Sequence, residues 1–231
     1  MPRKPYLSLV GGRKRAKDDE KITIGGDAIH LRPELQKLIG ACLMSWPFIE
    51  TQLALLLGKL LGSPNQAAIA VFQIIRRSTM QRDAILEAGR HTLNRDDQEL
   101  LTAVMNVVKS VEAERNALAH GHFGISNLLP KDLVWLQTVH YVAHQTNVEL
   151  RGQVEWNEEK HESMVKTFFV YTKVDLEKIE EDMRFASRYL QLFMKYLGNQ
   201  SLVVRDHLCR LPHVAQELKR LRKHPDIRGP E

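Results

Sequence analysis

The chain has 231 residues and a formal net charge of +5, from 33 Lys and Arg against 28 Asp and Glu, with a pI of about 9.2. Apolar residues make up 43%, enough for a sizeable core, which excludes disorder over most of the length and fits one domain with tails or an insertion. Cys42 and Cys209 are the two cysteines, too few and too far apart for a disulfide framework or a CxxC zinc pair. With no secretion-type apolar region at the N-terminus and no eighteen-residue uninterrupted apolar run, the expectation is a soluble, cytoplasmic protein with no membrane partner.

Residues 1–30 read as a basic, flexible arm punctuated by Pro2, Pro5 and paired glycines, with Ile22-Thr23-Ile24 as one short extended piece. From Pro33 to Gly62, Leu35, Leu38, Ile39, Cys42, Trp46, Ile49, Leu53, Leu56 and Leu60 recur at three- and four-residue steps, predicting helix. Pro47 predicts a kink there or two abutting helices. Glu50 falls near the apolar stripe and reads as a boundary carboxylate or a buried anchor. Helices are expected over Gln66–Arg77 and Thr79–Leu93, and Asn94-Arg95-Asp96-Asp97 opens the longest one, which runs to His120-Gly121. Gly121 and Gly124 read as its terminators. Between about 125 and 174 the pattern turns β-branched and aromatic at residues 134–142, 148–154 and 167–171, predicting a small β insertion. Helix returns from Asp175 to Gly198, and residues 201–231 read as a basic, amphipathic C-terminal extension that forms a short helix or stays mobile. The fold class expected is therefore mainly α: an antiparallel helical bundle over 31–200 carrying the small β insertion.

The chemistry concentrates at Glu114-Arg115-Asn116-Ala117-Leu118-Ala119-His120-Gly121-His122, near the end of the longest helix. Arginine offers a fixed, permanently charged fork of donors matched to phosphate oxygens. Histidine moves a proton near neutral pH. Asn116 and His120, four apart, share one helix face, and Arg115 lies beside them. Together such groups can cut RNA without a metal or other cofactor.

Arg115, a polar Asn116 directly after it, and His120 four residues further on resemble the motif of the HEPN superfamily. The resemblance implies a helical bundle over roughly residues 32–198 that dimerises and acts as a metal-independent endoribonuclease. It implies a composite active site between two subunits. There Arg115 would neutralise the scissile phosphate and His120 would handle the 2′-OH or leaving-group proton. Asn116 would orient the phosphate or the imidazole, with His122 as a further histidine in reserve. The partners implied are RNA, a second copy of the chain, and an inhibitory protein, in antiviral defence, a toxin–antitoxin pair or stress-triggered RNA decay. The basic runs Arg13-Lys14-Arg15 with Lys17, and Lys219 to Lys223, would track a phosphate backbone or serve solubility.

Other readings use the same letters. Arg and His near a helix C-terminus complement its dipole, which leaves a non-catalytic nucleic-acid or protein adaptor open. His120-x-His122, and His140 with His144, are weak metal patterns with no accompanying HExxH or paired Cys. Cys42 lies on an apolar stripe and reads as core. Asp96-Asp97 with Glu99 reads as a helix start rather than a carboxylate pair. Trp135, Tyr141 and Phe168–Tyr171 could stack on bases but fit packing of the insertion better.

Overall fold

The structure is a computed structural model and describes residues 3–10, 21–63, 65–149 and 163–223. It is mainly helical with a small antiparallel sheet. The helices are α1 (Tyr6–Leu9), α2 (Pro33–Leu60), α3 (Asn65–Ile74), α4 (Ser78–Thr92), α5 (Arg95–His120), α6 (Thr138–Glu149), α7 (Lys173–Asn199), α8 (Leu202–Arg210) and α9 (Pro212–Lys223), with a 3-10 turn at Ala28–Leu31. The strands are β1 (Lys4–Pro5), β2 (Ile22–Ile24), β3 (Gly121–Ser126), β4 (Leu129–Gln137) and β5 (Phe169–Tyr171). The chain divides into one compact unit of residues 1–44 and 114–181 and a second of residues 45–113 and 182–231.

The first unit holds the whole sheet, in the order β1-β5-β4-β3-β2 with antiparallel pairings throughout. Strand alternation sends Val134 and Leu136 to one face and Leu133 and Trp135 to the other, and all four are buried. Val134 and Leu136 join Tyr6, Val165, Phe168 and Val170 in one apolar cluster. Tyr6 is fully buried and its hydroxyl sits 2.7 Å from Ser126 Oγ.

That seat corrects the expectation of an arm over 1–30. Residues 4–9 give an edge strand and one helical turn, and Ile22–Ile24 pairs with β3. Arg13-Lys14-Arg15 and Lys17 lie outside the described residues.

The expected β insertion is also redrawn. A strand does occupy 134–137, but it begins at Leu129, and its hairpin partner is Gly121–Ser126, which starts where α5 ends, at His120. Gly121 is glycine for steric reasons: a Cβ there would collide with the Trp135 indole. Residues 138–149 are helix, against their β-branched composition. Helical spacing turns Tyr141 onto His122 and His144 onto Phe168, so packing against the sheet overrides local propensity. Of the strand expected at 148–154, Val148 and Glu149 end α6 and 150–154 lie outside the described residues.

The second unit is helical. Leu56, Phe72, Ile85, Leu100, Leu101, Val104, Met105 and Phe193 are buried in it, each worth about 1.5–3 kcal/mol relative to exposure. Asn94 caps α5: its Oδ1 accepts the Asp97 N–H at 3.0 Å, while its Nδ2 donates to Asp97 Oδ2 at 2.7 Å. Gly62, at φ 61°, ends α2. Its N–H donates to the Lys59 carbonyl and that of Ser63 to the Gly58 carbonyl, the paired bonds of a Schellman turn. Residues 201–223 form two helices, α8 and α9, where one short helix or a mobile segment was expected, and bury Leu208, Val214, Leu218 and Leu221.

Helix α2 runs as one element through Pro47, whose carbonyl accepts Thr51 Oγ1 at 2.9 Å, so the expected break into two abutting helices does not occur. With a mean hydropathy of 1.3 over eighteen residues, α2 is the one helix among the described residues long and apolar enough to cross a bilayer. Its Leu35, Ile39, Cys42, Trp46, Ile49, Leu53, Leu56 and Leu60 are buried, while Met44 and Phe48 on the same helix are exposed.

Candidate functional site

All four motif residues lie in the first unit, at the end of α5 and the start of β3. Two side chains of the sheet-and-helix layer bind the closing carbonyls of α5. Trp135 Nε1 donates to the Ala117 carbonyl at 3.0 Å, and Thr138 Oγ1 donates to the His120 carbonyl at 2.9 Å. These bonds take up acceptors that a helix C-terminus otherwise leaves open. The backbone under the motif is therefore fixed at both ends of one turn.

Arg115 is half-buried and donates from Nη1 to Asn116 Oδ1 at 2.9 Å. Asn116 thus holds the guanidinium, rather than the phosphate or the imidazole expected of it. His120 is exposed, with only its backbone carbonyl engaged in the bond from Thr138. Five residues on an α-helix turn about 140° and rise about 7.5 Å. Helix persists to His120, so the Arg115 and His120 side chains leave α5 in different directions. Asn116 and His120 do share a face, as their spacing requires.

His122 goes elsewhere. It pairs with Leu136 across the hairpin and so points to the face of the sheet opposite Trp135. There its ring stacks on Tyr141, with centroids 3.9 Å apart and planes 9° apart, and Tyr141 in turn accepts Gln145 Nε2 at 3.0 Å. Its ring packs against an aromatic partner, while that of His120 reaches solvent.

Sequence reasoning missed the residues that anchor the motif from beneath. The Arg3 guanidinium lies 3.9 Å over the Trp135 ring and donates to Tyr171 Oη at 3.3 Å. Burial pushes the Tyr171 hydroxyl up to about 12, with Glu114 adding to the rise and Arg3 opposing it. Trp135 and Tyr171 are buried, so these aromatics pack rather than present a face to a base. The signal available was Gly121 followed by a bulky strand, since glycine at a helix-to-strand junction marks a close approach.

The remaining candidates sort by burial. Cys42 is fully buried, and burial with Glu180 nearby pushes its thiol up to about 12, so it is core rather than nucleophile. Glu50 is exposed on α2. Asp97 is a helix-start residue but also 4% exposed: it binds Arg205 Nε at 2.9 Å and accepts the Tyr196 hydroxyl at 2.8 Å. Glu99 faces Arg222 at 3.8 Å.

His140 and His144 sit on a helix, not the expected strand, which gives their four-residue spacing a shared face. His144 Nδ1 lies 2.9 Å from Met164 Sδ. Among the described residues no group of three or more His, Cys, Asp or Glu is placed to hold a metal ion. A cavity of about 510 Å³ opens between Arg32, Pro130, Asp132 and Lys173, and none of the motif residues lines it. Burial and Asp175 raise Asp132 there, against Arg32 and Lys131. No protein-family model, curated protein or solved structure matches the chain.

Proposed function

We propose that the chain is a metal-independent endoribonuclease of HEPN type, a helical bundle that cleaves RNA through Arg115 and His120 at the end of α5. The observation that carries this reading is an exposed His120 on a helix end whose backbone is pinned by Trp135 and Thr138, one turn beyond an arginine held by Asn116. Side chains kept at a rigid surface are what a phosphate site needs, because positioning supplies much of the rate. Arg115 would neutralise the charge that develops on the phosphorane. His120 would take the 2′-OH proton or protonate the 5′ leaving oxygen. The products would be a 2′,3′-cyclic phosphate and a 5′-hydroxyl.

An angle of about 140° between Arg115 and His120 on α5 fits a two-fold dimer that would set Arg115 of one copy against His120 of the other. Cytoplasmic defence or stress-triggered decay, with an inhibitory protein partner, follows as the setting for such an activity. A test is cleavage of single-stranded and structured RNA in EDTA by wild type, Arg115→Ala, His120→Ala, and the two variants mixed. Cyclic-phosphate ends from wild type, loss in each variant and partial recovery on mixing support the composite site. Equal cleavage by all four contradicts it.

The same angle favours a second reading, an adaptor in which Arg115 and His120 belong to a binding surface. RNA retention without cleavage, unchanged in His120→Ala, would favour that reading.

A further inference from the structure

The second unit contains an apolar helix that is scarcely used by its own core. Helix α3 spans ten residues, and its buried side chains are Ala68 and Phe72. Ala67, Ala70, Val71 and Ile74 are exposed, Val71 to 50% and Ile74 to 78%. Their spacing of three, four and seven residues places them on one face of two helical turns. Met80, 56% exposed at the start of α4, is a further exposed apolar residue just past the turn. A stripe of this kind on a soluble surface is costly to leave in water and marks a docking face.

The corner is rigid and it is basic. Gln81 Nε2 donates to the Phe72 and Ile75 carbonyls at 3.2 and 2.8 Å, tying the end of α3 to α4. Arg76 and Arg77, in the turn between them, are exposed, and Arg82 follows on α4. Among the described residues the guanidinium groups of these three arginines make no hydrogen bond or ion pair. An apolar stripe rimmed by uncommitted guanidinium groups is complementary to a carboxylate-bearing amphipathic segment.

We propose that the α3–α4 corner docks an acidic amphipathic helix of a partner protein. Ala67 and Ala70 let the partner backbone approach to about 8 Å between axes. Val71, Ile74 and Met80 receive its apolar side chains, and Arg76, Arg77 and Arg82 pair with its Asp or Glu. A second copy of the chain fits less well. Helix α3 carries no acidic residue, so pairing α3 with itself would bring arginines together without counter-charges. This surface does not depend on RNA cleavage.

The probe is a fluorescein-labelled sixteen-residue peptide with Leu at positions 3, 6, 7 and 10 and Glu on its flanks, titrated by anisotropy into the full chain. Controls are the same peptide with every Glu as Gln, a scrambled peptide, a single-stranded RNA, and vesicles containing phosphatidylserine. The acidic peptide should bind at least about tenfold more tightly than the Gln and scrambled versions. Ile74→Glu and the paired Arg76→Glu, Arg77→Glu change should each weaken it about tenfold (about 1.4 kcal/mol) with the melting temperature unchanged. Equal binding of the Gln or scrambled peptide, or indifference to both variants, overturns the proposal. So does an Ile74-dependent self-association, or an Ile74-dependent binding of vesicles or RNA in place of the peptide.

Discussion

The two ends of α5 solve the same problem in opposite ways. At its start, in the second unit, Asn94 caps the helix and Asp97 is sealed among Asn94, Tyr196 and Arg205. At its end, in the first unit, Trp135 and Thr138 bind main-chain carbonyls and leave the His120 side chain in solvent. The first arrangement satisfies a buried charge and leaves nothing for a ligand. The second holds the backbone without consuming the side chain. A charged residue at a helix end is structural when its own atoms carry the packing, and available for chemistry when neighbouring atoms carry it instead.

Breaking the buried end should cost the most. Asp97→Ala leaves the largely enclosed Arg205 without its carboxylate and removes the acceptor of the Tyr196 hydroxyl. We expect a loss of about 3 kcal/mol, seen as a lower midpoint in urea unfolding. Gly121→Ala comes next, because the added methyl meets the Trp135 indole in a strand that cannot retreat. A loss of about 2 kcal/mol in the same titration is expected, and a neutral result would mean the indole is free to move. Trp135→Phe keeps most of the apolar surface but leaves the Ala117 carbonyl without its donor, costing about 1–2 kcal/mol.

Smallest is a test of reactivity rather than stability. With its thiol raised from 9.0 to about 12, Cys42 should resist a thiol reagent at pH 8 until the chain is unfolded. The same rise means that the stability it contributes is complete below pH 9 and is lost as pH climbs toward 12. Cys42→Ala should flatten the alkaline limb of the pH–stability curve, and an unchanged limb would place the loss at other groups.

Much of the helical layout was legible because apolar residues recur at helical steps on α2, α4, α5 and α7, and because Asn94 and Gly62 carry recognisable cap chemistry. Helix α6 was not, since Val139, Tyr141 and Val142 favour strand locally, and their helix is imposed by packing of Tyr141 and His144 on the sheet. Tyr6 was hidden by its neighbours: prolines and lysines announce an arm, and nothing local says that one tyrosine reaches a core 120 residues away at Ser126. Helices α8 and α9 were legible only in part, their buried leucines being spaced among many basic residues.

For the candidate site, the motif letters located Arg115, Asn116 and His120, and the Arg115–Asn116 bond follows from their adjacency. The different fates of His120 and His122 did not follow. One residue of strand alternation decides which ring faces Tyr141, and that depends on the register of the β3–β4 hairpin. Arg3, Trp135 and Thr138 come from three separate segments, so the floor of the site exists only in the fold.

The central claim is that the exposed end of α5 does chemistry. The most direct measurement is the cleavage rate of a fluorescent single-stranded RNA in EDTA by wild type and His120→Ala, with the melting temperature of each. Alanine keeps the carbonyl that Thr138 binds, so the helix end survives the change. A fall of at least about 100-fold with an unaltered melting temperature is the predicted result. Equal rates in the two proteins, or no cleavage by wild type at all, would contradict the account.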